Sequence, residues 1–290
     1  MRLLAFSRKG QAALGLRVGE EIIDLTAQGL PDSLEEFLRA GEAAREAAKR
    51  AQRQATERYT IAEVTHLPPL RNPGKAIAVG LNYREHASES KFEAPTYPVL
   101  FQRFPSSWVA HQEPMEVPSL SSQFDYEGEL VVVISRGGRY IEPSRALAHV
   151  AGYSVFNDGS VRDYQFKSTQ WMMGKNFDRS GSFGPEFVTA DDVPAGAAGL
   201  TLQTRVNGAV LQNANTRDMI FDVATLIAVC SNVMALSIGD MIITGTPGGV
   251  GVARQPPIFL KAGDVCEVSV EGIGVLSNPI AKENRVRVNT

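Results

Sequence analysis

The segment Phe124-Asp125-Tyr126-Glu127-Gly128-Glu129-Leu130-Val131-Val132-Val133-Ile134 sets acidic residues at alternate positions and leads straight into an apolar strand. Strand side chains alternate between faces, so Asp125, Glu127 and Glu129 are expected to point the same way. Carboxylates two residues apart on a strand lie roughly 6 to 7 Å from one another and repel by about 2 to 3 kcal/mol at an effective dielectric near 20. A hard divalent cation is the simplest compensation, because oxygen ligands without thiolate or imidazole suit Mg²⁺, Mn²⁺ or Ca²⁺. The plainer alternative is the start of an edge strand whose acids face solvent.

A chain of 290 residues with 43% hydrophobic content can bury a substantial core, as one large domain or as one domain with a smaller appendage. The net charge of -3, with signs interspersed, offers no basic stripe for nucleic acid and no polybasic or amphipathic membrane anchor. No apolar stretch is long enough to span a bilayer, and Arg8 and Lys9 interrupt the N-terminal residues too early for a secretory signal, so a cytoplasmic protein is expected. Cys230 and Cys266 lie in apolar segments without metal-type spacing and read as buried free thiols.

Residues 1–68 read as a small N-terminal α/β unit, with strands over 2–6, 12–18 and 21–25 and a helix over 33–55. The connector Leu67-Pro68-Pro69-Leu70-Arg71-Asn72-Pro73-Gly74 breaks regular structure and marks the boundary of a second unit, 69–290. That unit is β-rich, with helices as minor elements, which makes the whole an α+β fold. Ser160 and Asp163 have the spacing of a helix cap, and Met219, Val223, Leu226, Cys230 and Val233 repeat at helical spacing over 216–236.

Four further segments are candidates for chemistry. His86 and Glu89 stand three apart where the loop after a strand turns helical, so the carboxylate can orient the imidazole and raise its basicity. Asp158 ends a short strand, where a third oxygen ligand or an Asx turn is expected, and Arg162 and Gln165 follow on one face of a helical turn, suited to a substrate carboxylate. Lys175, in a Gly-containing loop, can neutralise developing charge but lacks the flanking residues of a phosphate-binding loop. The loop Thr244-Gly245-Thr246-Pro247-Gly248-Gly249-Val250-Gly251 lacks the strand and helix setting of a dinucleotide site, yet its backbone and the Thr246 hydroxyl can approach a ligand.

In order along the chain these blocks resemble the fumarylacetoacetate hydrolase family, over about residues 70 to 280. The resemblance implies a mixed β-roll with a small N-terminal domain, assembled as a homodimer. It implies Mg²⁺ or Mn²⁺, with Ca²⁺ as an alternative, on Glu127, Glu129 and Asp158, and an acid–base pair of His86 and Glu89. It also implies a charge-stabilising Lys175 and substrate contacts from Tyr83, Arg162, Gln165 and Thr246. Gly159 and Val161 depart from the commonest pattern, standing where many members have Val and Ala.

The expected reaction is metal-dependent hydrolysis of a carbon–carbon bond in a 2,4-dioxo acid such as an acylpyruvate, His86 taking a proton from the attacking water. The rival is a lyase or isomerase step on a 2-oxo acid, such as oxaloacetate decarboxylation or tautomerisation, which needs the same residues and no hydrolytic water. A more distant rival is a non-catalytic module whose sheet is stapled by Ca²⁺ at Asp125, Glu127 and Glu129. A polar lid over 88–99 is also expected.

Overall fold

The computed structural model of the chain describes residues 1–89, 93 and 95–284; Ser90, Lys91, Phe92 and Ala94 of the expected lid lie outside the described residues. Its backbone is a mixed twelve-stranded sheet against which a five-stranded sheet and a few helices pack. The strand Gly128–Ile134 sits in the middle of the larger sheet and is buried along its whole length. Its period of two explains the unbroken apolar run. Leu130, Val132 and Ile134 face a core with Leu202, Val268 and Leu226, whereas Val131 and Val133 face a second core with Phe37, Ala48 and Phe187.

Pairing at this centre gathers strand ends at one edge. Gly128 lies opposite Asn157, at the close of the antiparallel strand Val150–Asn157. On the other side the strand Met241–Ile243 runs antiparallel to Gly128–Ile134 and parallel to Ala76–Gly80. The start of one strand and the ends of three others therefore deliver residues 127–129, 157–158, 244–246 and 81–86 to the same place.

Residues 1–68 do not build a sheet of their own. The strand Arg2–Arg8 pairs with Gly181–Thr189, with Arg2 opposite Val188, so the N-terminal hairpins extend the twelve-stranded sheet. The helix Leu34–Gln54 follows Ser33, which accepts the Glu36 N–H at 3.4 Å, and it kinks at Gly41, whose φ of 63° suits glycine.

Two helix expectations fail for identifiable reasons. The span 216–236 divides into a turn at Thr216–Asp218 and the helix Val223–Val233, which starts where Asp222 accepts the Thr225 N–H at 2.8 Å. Between them the backbone is held by buried Asn82, whose side chain accepts from Phe221 N at 2.8 Å and donates to Phe221 O at 3.0 Å and Thr244 O at 2.7 Å. Ser160 does not cap a helix, because it pairs with Asp125 across a two-stranded bridge and donates to Asp158 O at 2.8 Å. The helix Arg162–Gln165 that follows is only four residues long and contributes no useful dipole.

Where the N-terminal strands meet the rest of the fold, His66 and His111 pack edge to face with ring centroids 4.6 Å apart, near the Arg17–Glu186 ion pair. His111 Nδ1 accepts the Ser277 N–H at 3.0 Å. Burial, with His66 and Arg17 adding to it, pushes His111 down to about 4, and burial also lowers His66 against the pull of Glu186. Above pH ~6.5 the imidazole is neutral in both folded and unfolded chains. As pH falls from there toward the native value, the unfolded chain takes up a proton that the native one does not, and stability is lost. Allowing for the partial exposure of His111, its share of that loss is on the order of 2 kcal/mol. In urea titrations between pH 7 and 4.5 the His111→Gln variant is expected to lose less stability than the parent; equal losses would remove this account.

Candidate active site and metal centre

Glu127, Glu129 and Asp158 converge as expected. They are buried, and one carboxylate oxygen from each lies within 4.8 Å of the others. Three hard oxygen donors with so much negative charge in so little space fit a divalent cation such as Mg²⁺ or Mn²⁺. Glu127 leaves the strand just before Gly128, and its backbone N–H donates to the Asn157 side chain at 3.1 Å. Gly128 itself lies against Thr204, where a Cβ would come within 2.2 Å of the hydroxyl. Gly159 is set in the same way, because a Cβ there would lie 1.8 Å from Ser180 O and would displace the turn that carries Asp158.

Asp125 does not join this cluster. The strand is interrupted after Asp125, and its carboxylate accepts from Tyr126 N at 2.8 Å, Gly251 N at 2.8 Å, Val252 N at 2.9 Å and Arg162 Nε at 2.8 Å. It anchors the 249–252 loop instead, and a cation stapled by Asp125, Glu127 and Glu129 is not the arrangement seen.

Three buried cations surround the carboxylates. Lys175 Nζ lies 2.7 Å from both Glu127 Oε2 and Asp158 Oδ2, and Arg162 Nη1 lies 2.6 Å from Glu127 Oε1. Arg103 reaches Asp158 Oδ1 at 2.5 Å and Gly159 O at 3.1 Å. Burial would raise the Glu127 carboxyl, but Lys175 and then Arg162 draw it down to about 2. Glu129 has no such ion pair among the described residues: burial, then Asp158 and Glu127, push its carboxyl well above the usual range, against a 2.5 Å hydrogen bond from Gly245 N.

His86 and Glu89 are also brought together. The helix Arg84–Glu89 sets His86 Nδ1 3.0 Å from Glu89 Oε1, and Glu89 in turn accepts from Gly249 N at 2.9 Å. Burial would raise the Glu89 carboxyl, but the hydrogen bonds from His86 and Gly249 leave it lowered and charged at neutral pH. His86, Glu127, Arg162, Gln165, Lys175 and Thr246 line one cavity, together with the aromatic rings of Phe101, Phe166 and Trp171. Gln165 Oε1 accepts from Arg162 Nη1 at 2.9 Å, and the buried Arg162 Nη2 has no hydrogen-bond partner among the described residues, which leaves a cationic donor for an anionic ligand.

Two expected substrate contacts look different in the fold. The Thr246 hydroxyl lines the cavity but donates to Gly128 O at 3.0 Å and accepts from Gln212 Nε2 at 2.8 Å. Tyr83 does not line the cavity. Its phenol is buried without a hydrogen-bond partner among the described residues, and burial, then Glu129, raises it well above its ordinary value. Arg103 went unseen in the sequence, because nothing near it in the chain points to Asp158.

A buried acid cluster beside an ordered imidazole, at the open edge of a β-rich roll, is the equipment of an enzyme and not of a structural staple. The comparisons say which kind. The model of the fumarylacetoacetate (FAA) hydrolase C-terminal region matches residues 75–281. The chain is 41% identical over 288 residues, 97% of its length and 90% of the relative's, to the mitochondrial oxaloacetate tautomerase fahd2 of Xenopus laevis. Its structure is similar to the fumarylacetoacetate hydrolase of psychrophilic Exiguobacterium antarcticum, with a TM-score of 0.87 and 38% identity over 98% of this chain and 100% of that one. It is also similar to the maleylpyruvate hydrolase of Sphingobium sp. SYK-6 in complex with manganese (II) ion and pyruvate, with a TM-score of 0.83 and 28% identity over 98% and 100%. The chain belongs to the fumarylacetoacetate hydrolase family and is an enzyme of that family. No helix among the described residues is long and apolar enough to cross a membrane.

Proposed function

We infer that the protein interconverts the enol and keto forms of oxaloacetate, or of a closely related short 2-oxo diacid. This places an isomerase step ahead of the C–C hydrolysis that the sequence motifs put first. The observation that carries the reading is the cavity itself. It sets Arg162 Nη2, without a hydrogen-bond partner among the described residues, in the same cavity as the His86 imidazole, so that an anion held by the guanidinium lies near a base. The likeness over nearly the whole chain to an oxaloacetate tautomerase supports the same choice.

Mg²⁺ or Mn²⁺, held by Glu127, Glu129 and Asp158, would supply Lewis-acid polarisation of the 2-oxo group. Arg162 and Gln165 bind and orient a substrate carboxylate. Glu89 accepts the His86 Nδ1–H and leaves Nε2 as the basic atom, which takes a proton from C3 of the keto form. The C–H electron pair becomes the C2–C3 double bond, the carbonyl pair moves to O2, and the His86 imidazolium gives its proton to O2, which returns the imidazole to its neutral form. Lys175 stabilises the charge that develops on O2. In the reverse path His86 takes the O2 proton of the enol and delivers it to C3. A homodimer, as the family resemblance implies, is part of this reading.

Proton NMR with oxaloacetate, with Mn²⁺ or with chelator, tests it. The expected result is metal-dependent acceleration of enol loss without pyruvate. Pyruvate from oxaloacetate would make the protein a decarboxylase. Acetate from acetylpyruvate, with no effect on oxaloacetate, would restore hydrolysis, the reading favoured by the likeness to a maleylpyruvate hydrolase.

A further inference from the structure

None of the proton or charge movements above uses Trp171, yet the fold fixes this ring with unusual care. The edge of the indole occupies the place of a side chain at Gly80: a Cβ there would lie 2.1 Å from Cζ3 and 2.9 Å from Cη2. Only glycine at the end of the strand Ala76–Gly80 permits that approach. The indole also meets Phe101 edge to face, with centroids 5.9 Å apart, and the Lys175 ammonium lies 5.3 Å from the centre of that same Phe101 ring.

The backbone ties Trp171 to the reacting centre. Trp171 immediately precedes the helix Met172–Lys175, and its carbonyl accepts the Gly174 N–H at 2.9 Å. Gly174 is pressed against Gln165, where a Cβ would come within 2.4 Å of the Gln165 backbone. The ring that narrows the cavity and the ammonium that holds two of the carboxylates thus stand four residues apart on one short, tightly packed element.

We propose that Trp171 is the specificity-determining residue of the site: its indole fills the volume that the acyl carbons of a longer substrate require and restricts the enzyme to short 2-oxo acids. This rests on the small-acid reading above for the native substrate, but the gate itself can be tested without it. An apolar wall discriminates by about 10- to 200-fold per methylene when a substrate must displace it, and removal of the wall should return a comparable factor.

The test measures kcat/KM for oxaloacetate, acetylpyruvate and longer-chain acylpyruvates with the Mn²⁺-loaded protein, and calorimetric binding of the same acids, in parent, Trp171→Ala and Trp171→Phe. Trp171→Ala is expected to keep oxaloacetate within about 10-fold of the parent while the ratio of longest to shortest substrate rises by at least about 10-fold, with Trp171→Phe in between. Trp171 is partly exposed, so both variants are expected to fold, and a thermal melt checks this. If Trp171→Ala does not fold, Trp171→Phe carries the test. Unchanged length preference in a folded variant, in turnover and in binding alike, would overturn the proposal. If the parent turns over none of these acids, the tautomerase reading fails, and the calorimetric series still decides whether Trp171 sets ligand length.

Discussion

A His86→Ala variant is expected to lose about 10²- to 10⁴-fold in kcat while binding Mn²⁺ as the parent does. The separation follows from geometry. His86 is bonded to Glu89 at 3.0 Å and shares the cavity with Glu127, but it is not one of the three clustered carboxylates, so its removal deletes the proton carrier and spares the metal ligands. Glu89→Gln should cost less. Its amide oxygen can still accept from Gly249 N or from the imidazole, so the ring stays in place and only the charge that stabilises the imidazolium is lost. Steady-state turnover paired with calorimetric Mn²⁺ titration distinguishes the roles. Parental activity in His86→Ala would remove His86 from the mechanism, and lost metal binding would show that the ring supports the carboxylate cluster.

The residues that sequence spacing could place are those whose partners lie close along the chain or at strand ends. His86 and Glu89 are three apart, and the fold keeps them on one helical turn. Glu127 and Glu129 are two apart and stay together even though the strand is interrupted, because Gly128 pairs with Asn157 and brings Asp158 alongside. What remained hidden depends on distant approach. Arg103 is 55 residues from Asp158, and no periodicity encodes that meeting. Asp125 has the same spacing as the two glutamates but serves the backbone of residues 251 and 252, a partner 126 positions away. The helix expected over 216–236 follows a sound apolar repeat, and it gives way because Asn82 needs the backbone of residue 221. The twelve-stranded sheet likewise unites Arg2 with Val188, which no local reading of the first 68 residues could show. Hydrophobic pattern reports which face is covered and leaves open what covers it.

Glu129→Gln is expected to move stability and function in opposite directions. At an effective dielectric near 20, carboxylates 4.8 Å apart repel by about 3 kcal/mol per pair when all are charged. Lys175 and the two arginines relieve Glu127 and Asp158, and Glu129 is left with the Gly245 N–H. Its carboxyl is accordingly raised in the folded protein, by burial first and then by its two acidic neighbours. A raised carboxyl favours the fold below the unfolded value and loses that contribution as pH rises toward the native one, so chelated protein at neutral pH carries a penalty at this position. Glutamine is nearly isosteric, removes the charge and can still accept from Gly245. In chelator the variant should therefore melt a few degrees above the parent, since about 1 kcal/mol corresponds to roughly 2 to 4 °C in a domain of this general size. Added Mn²⁺ should raise the parent's melting temperature by mass action, leave the variant nearly unmoved, and restore turnover only to the parent. A variant that melts lower in chelator and still responds fully to Mn²⁺ would show that Glu129 is a structural acceptor for the 245 loop and that the cation, if bound, is held by Glu127 and Asp158 alone.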